Sequence, residues 1–141
     1  MTFFNHVLAG ASIAVVVRDP LLAAPLALAS HFALDMMPHF WHDTFKPWTK
    51  SFVSYLFIDT ILSIAALALS LALFPQLGLV ILLCTGLATL PDWLWAAHYG
   101  KGVQHKFFDF HHKIQRYEKP WGAFIEAPFT AVLVVLLWSL A

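Results

Sequence analysis

An all-α integral membrane bundle of about five helices, with one further amphipathic helix at its surface, is the fold class the sequence predicts. Two observations carry that reading. Of the 141 residues, 60% are hydrophobic and only 11% are charged, against about 25% charged in an ordinary globular chain. The apolar residues also fall into long runs separated by short, sharply punctuated turns. Length fits a single domain over 1–141. Eight basic side chains balance eight acidic ones, so nothing global points to nucleic acid; the information lies in where the charges fall. The single cysteine, Cys84, sits inside an apolar run as a small buried hydrophobe and offers no disulfide framework. The N-terminus lacks the basic leader of a signal peptide.

The first segment, 3–17, is short for a span, since about 20 residues cross a hydrocarbon core. Arg18-Asp19-Pro20 is a turn. The second segment, about 21–37, carries Pro25 in its first turns, where a missing N–H is tolerated. A polar, aromatic connection follows over 38–50. The third, 51–74, is long enough to span with some tilt, and Pro75-Gln76-Leu77-Gly78 closes it with an uncharged loop. The fourth runs over about 79–97. A polar stretch then leads into the fifth, 121–141, where Pro128 should kink the helix.

Five crossings put the 38–50 and 99–120 loops on the same side as the N-terminus. Those loops hold Lys46, Lys50, Lys101, Lys106, Lys113, Arg116 and Lys119, while the other side holds Arg18 alone. Seven against one directs the N-terminus and both loops to the cytoplasm. Trp41, Trp48, Trp93, Trp95 and Trp121 fall near the same boundary, as interfacial tryptophans do.

Every histidine and every acid except Asp19 then gathers at or near that one face. His31 and Asp35 are four apart and share a helix face one turn apart; His39 would follow if the helix continued past Pro38, a step that proline resists. His6 stands at the same end of the first segment, Asp92 and His98 at the exit of the fourth, and Glu126 about one and a half turns into the fifth. Asp59 lies about nine residues into the third, roughly 13 Å deep by helical rise. An ionised carboxylate there costs several kcal/mol unless it meets a cavity, a cation or a partner. The bland alternative for Asp59 is a protonated acid bonded to Tyr55 or a neighbouring helix, and for His31 and Asp35 an inter-helix hydrogen bond. His42 and His98 also suit plain interfacial residues.

Within the last loop, about 103–117 reads as an amphipathic helix lying in the interface. His105, Asp109, His112 and Arg116 share one face, and Phe107, Phe110, Ile114 and Tyr117 another. At least one of His111 and His112 belongs with the site, and the spacing does not choose between them. The basic residues here attract lipid phosphate.

Imidazole and carboxylate without sulfur suit zinc, manganese or iron. The donors exceed what one tetrahedral ion needs, so two or three ions sharing Asp35 as a bridge is the economical arrangement. Such a site acidifies bound water and neutralises charge on a phosphoryl or acyl oxygen. Its position at an interface floored by apolar helices favours lipid headgroups.

The order of motifs, His6, His31-x3-Asp35-x2-Pro38-His39, Leu90-Pro91-Asp92 and then a basic His-rich segment, resembles the inner-membrane metal-dependent hydrolases, a family with a LexA-regulated type. The His-x3-Asp pair followed by Pro and His is also similar to the metal-binding helix of the zinc-dependent phospholipase C and single-strand nuclease superfamily. The resemblance implies a prokaryotic inner membrane, with His31, Asp35 and His39 as metal ligands and His6 and Asp92 beside them. It departs after Pro91, where the family's Asp-x-Asp-His reads Asp92-Trp93-Leu94-Trp95. Together these readings predict a metal-dependent hydrolase of phosphoester bonds in a lipid or lipid-linked substrate. The predicted metal residues are His6, His31, Asp35, His39, Asp92, His111 and His112, and Asp59, Asp92 and Glu126 are the acid–base candidates. The rival is a non-enzymatic metal-binding protein or ion carrier.

Overall fold

The computed structural model describes residues 1–41, 49–99, 106–115 and 118–141. It is helical almost throughout: α1 (Phe3–Val17), α2 (Pro20–Asp35), α3 (Lys50–Leu73), α4 (Gly78–Tyr99), α5 (Lys106–Ile114) and α6 (Ala123–Leu140). Two short strands, β1 (His39–Phe40) and β2 (Glu118–Lys119), pair in parallel, with His39 opposite Glu118. Three stretches are long and apolar enough to cross a membrane, by length and composition: Lys50–Leu73, Pro75–Trp95 and Pro120–Leu140.

The short first segment is the axis of the molecule. α1 packs against α2, α3, α4 and α6, and its residues from Asn5 to Ser12 are all buried. Small side chains make this possible, because they let helix backbones approach closely where lipid supplies no hydrophobic drive between helices. At Gly10 the approach is closest: a Cβ there would stand 2.8 Å from the Cys84 carbonyl oxygen and from the Thr85 Cα. The facing surface of α4 follows helical spacing, with Ile81, Cys84, Thr85 and Ala88 buried. On α2 the buried stripe is Ala23, Ala27, His31 and then Leu34 and Asp35, so small residues give way to polar ones toward its C-terminus.

The outer faces invert the soluble pattern. Phe57, Ile58 and Ile64 of α3 and Phe124, Val135 and Trp138 of α6 are exposed, while Asp59, Ser63, Ser70 and Glu126 are buried. Apolar outside and polar inside is how a bundle is arranged when its solvent is hydrocarbon. Helix ends follow local rules. Asp19 caps α2, its side chain accepting from Leu21 N–H at 2.8 Å with Pro20 in the first turn, and Thr49 caps α3.

Two differences from the sequence reading concern the connections. α2 stops at Asp35 and the chain turns before Pro38, so His39 enters β1 instead of extending the α2 face. α4 runs through Pro91, as the segment over about 79–97 does, and on to Tyr99. The surface helix is shorter than expected, Lys106–Ile114; His42, Lys46, Lys101, His105, Arg116 and Tyr117, and the side chains of His98 and His112, lie outside the described residues.

Candidate metal centre

The C-terminal end of α2, the N-terminal end of α1, the C-terminal half of α4 and the surface helix α5 meet at Asp35. Its side chain is wholly buried, and both oxygens are engaged. Oδ1 lies 2.6 Å from the Met1 nitrogen and 3.1 Å from His6 Nε2. Oδ2 lies 3.2 Å from His31 Nε2, 3.0 Å from His111 Nε2 and 3.2 Å from Gln115 Nε2. His31 is one turn back on α2, His6 is one turn into α1, and Gln115, just past the end of α5, is one turn beyond His111.

Asp92, from α4, faces the same group: Oδ1 is 3.8 Å from His31 Nε2 and 4.0 Å from His111 Nε2, and Oδ2 is 3.9 Å from His6 Nε2. His31, Asp35, Asp92 and His111 thus offer one donor atom each, all within 4.8 Å of one another, and this group could hold a metal ion. Zinc–nitrogen and zinc–oxygen bonds of about 2.0–2.1 Å imply donor-to-donor edges of about 3.3 Å in a tetrahedron. The His31–His111 edge, 2.9 Å, and the two edges to Asp35 already lie near that length; Asp92 stands slightly outside it.

The tautomer of His31 argues in the same direction. Its Nδ1 lies 2.8 Å from the Ala88 carbonyl oxygen, which can only accept, so Nδ1 carries a proton and Nε2 is the nitrogen left to face a cation or to hold a second proton. Pro91 has no N–H to give and interrupts the α4 ladder beside this carbonyl. A ligating histidine held by a backbone carbonyl through its other nitrogen is the usual outer arrangement of a metal site. His31 Nε2 and Asp35 Oδ2 face each other at 3.2 Å, which calls for a proton or a cation between them. His31 stacks on His6, with centroids 4.2 Å apart, and on His111 at 5.1 Å, so the three rings form one packed group. The Asp92 side chain keeps 26% exposure while those of His6, His31 and Asp35 keep none, so the group opens past Asp92.

The structure divides the remaining sequence candidates into three. His6 joins the cluster stacked on His31, its Nε2 facing the other oxygen of each carboxylate, Asp35 Oδ1 and Asp92 Oδ2. His39 stays apart, its Nδ1 donating to the Met37 carbonyl oxygen at 2.8 Å and its Nε2 3.7 Å from Glu118. Asp59 and Glu126 meet the N-terminus of α1: Asp59 accepts from Phe3 N–H at 2.9 Å and Phe4 N–H at 3.0 Å. Glu126 Oε1 accepts from Thr2 N–H at 2.8 Å, the Thr2 hydroxyl at 2.6 Å and the Asn5 amide at 2.9 Å, while Oε2 takes Phe40 N–H at 3.0 Å. A helix start leaves its first N–H groups unpaired and carries partial positive charge. Two acids buried in apolar helices therefore find their counter-charge in the backbone of a third helix. Gln115 escaped the sequence reading because a carboxamide carries no ligand signature; its spacing of four from His111 was the available signal.

Comparisons with protein-family models, with curated proteins and with solved structures each find no match to this chain.

Proposed function

We propose that this chain is a membrane-embedded, metal-dependent hydrolase of phosphoester bonds in a lipid or lipid-linked substrate, with zinc as its ion and manganese or iron as alternatives. The observation that carries the reading is the His31–Asp35–Asp92–His111 group, buried at one end of an apolar-sided bundle and open past a single carboxylate. In this reading His31 and His111 give Nε2 and Asp35 and Asp92 give one oxygen each. His6, facing Asp35 Oδ1, would extend the donor set toward a second ion and leave Asp92 Oδ2 free for proton transfer. Bound there, the metal supplies an acidified water and a counter-charge for a phosphoryl oxygen.

The chain's own groups supply the rest. Asp92, partly exposed at the opening, takes a proton from the attacking water or returns one to the leaving alkoxide. Ala88 holds the His31 Nδ1–H and so leaves Nε2 turned to the ion. Asp59 and Glu126 hold α1, and so His6, in place. The excess of Lys and Arg in the two loops supports a cytoplasmic site at a prokaryotic inner membrane, close to lipid phosphate, and the motif order supports kinship with inner-membrane metal-dependent hydrolases. Ion carriage is disfavoured by the buried hydroxyls further along the bundle. Ser63, Ser70, Thr85 and Thr89 each donate to a carbonyl one turn earlier in their own helix, which leaves Ser12 as the buried hydroxyl without a partner among the described residues, one group and not a file.

Elemental analysis of the purified protein, with phospholipid and isoprenyl-phosphate hydrolysis measured on the same preparation, tests this. At least one equivalent of zinc is expected, lost with hydrolysis in Asp35→Asn and His111→Ala and retained in His39→Ala. A folded protein that holds no metal and takes up none overturns it.

A further inference from the structure

We infer that Gln115 is a positioning residue for Asp35, and that α5 therefore brings to the site both a ligand and the group that aims another ligand. The starting point is a count of donors around one oxygen. A carboxylate oxygen has two in-plane lone-pair positions. Asp35 Oδ2 has three nitrogens within hydrogen-bond reach: His31 Nε2 at 3.2 Å, His111 Nε2 at 3.0 Å and Gln115 Nε2 at 3.2 Å.

These three differ in kind. His31 Nε2 is the ring nitrogen left to face a cation, because Nδ1 donates to Ala88 on the other side of the ring. His111 Nε2 can be donor or acceptor according to tautomer. The Gln115 amide is a donor in every state. Given a cation in this group, as proposed above, both imidazoles turn lone pairs to the ion and one lone pair of Oδ2 does the same. The second position on Oδ2 then falls to Gln115 alone among the described residues.

That bond sets the plane of the carboxylate. Oδ2 is held toward His31 and His111, which leaves Oδ1 toward His6 and the Met1 nitrogen. Without the amide the carboxylate is free to turn about its last torsion, a broad and weakly restrained one, and Oδ2 drifts from the donor set. The backbone supports the assignment: His111 and Gln115 are one turn apart, with Gln115 N–H donating to the His111 carbonyl at 3.3 Å, so ligand and orienter move as one rigid unit. Phe32, next to His31, packs on this unit through Phe107 and Phe110, with centroids 6.3 and 5.9 Å apart.

The test uses the full chain in detergent, with zinc affinity measured by competition and the site read by the visible spectrum of the cobalt(II) form. Gln115→Ala removes the side chain; Gln115→Met keeps its bulk without a donor, so packing is preserved if the alanine variant is poorly folded. Both variants are expected to keep the native metal stoichiometry and to bind zinc on the order of 10–100-fold more weakly. Their cobalt spectra should change, while the melting temperature of the metal-free Gln115→Met protein should not. Native affinity and a native cobalt spectrum in both variants would overturn the inference and leave the metal site standing. A native protein that binds neither metal would remove the site itself, and the inference with it.

Discussion

The sharpest prediction compares two glycines that differ only in what faces them. At Gly10 a Cβ would stand 2.8 Å from two backbone atoms of α4, against 3.4 Å at the near limit of ordinary contact. The α1–α4 pair must therefore open by about 0.6 Å, and backbone cannot step aside as a flexible side chain can. Overpacking of this kind costs about 1–3 kcal/mol. At Gly86, on α4, a Cβ meets nothing within 4 Å, and replacing a helical glycine by alanine gains about 0.5–1 kcal/mol. Gly10→Ala should thus unfold earlier than the native protein, and Gly86→Ala slightly later, in thermal denaturation of matched detergent samples. The opening also reaches the site, since His6 lies one turn before Gly10 and its Nε2 is already 3.9 Å from Asp92 Oδ2. Metal sites require distances within about 0.2 Å, so Gly10→Ala should bind less metal on the His6 side while His31 and His111 keep theirs. Equal stability of the two variants, with native metal content in Gly10→Ala, would refute the close approach of α1 and α4.

Two further predictions concern the ends of the site. Asp59→Asn and Glu126→Gln each replace an acceptor facing backbone N–H groups by an amide that must present a donor to one of them; each should cost about 1.5–3 kcal/mol, seen as a lower denaturation midpoint, with zinc stoichiometry unchanged. Native stability combined with lost hydrolysis would make these acids chemical participants instead of anchors. Chelation should speed hydrogen exchange of the 106–115 amides, because α5 carries His111 and Gln115 to Asp35 and loses that tie with the metal, while the α1 and α4 amides stay protected; zinc should restore the slow rates. Unchanged exchange in α5 after verified metal removal would count against a ligand on that helix.

Much of the fold was legible because membrane helices announce themselves: each of the five apolar runs became a helix, and the amphipathic stretch around His111 became a sixth. The His31–Asp35 pair was equally legible, since a separation of four fixes a shared face before any tertiary structure is known. What could not be read were partners without a side-chain signature. The sequence registered that Asp59 and Glu126 are costly in hydrocarbon, but the N–H groups of residues 2–4 that offset the cost belong to the backbone, which looks the same everywhere. That His111 reaches Asp35 depends on the azimuth of α5, which packs on Phe32, and spacing along the chain does not give it. His39 was drawn away by Pro38, which ends the α2 face just where a third ligand would have continued it.

The seal on the first helix has a consequence for how the protein is made. Thr2, Phe3 and Asn5 are made well before their acceptors, Asp59 and Glu126, the latter more than 120 positions further along. Until α6 is synthesised, part of the first turn of α1 lacks the carboxylate that satisfies it in lipid. A chain whose α1 start is fully protected must therefore already possess α6.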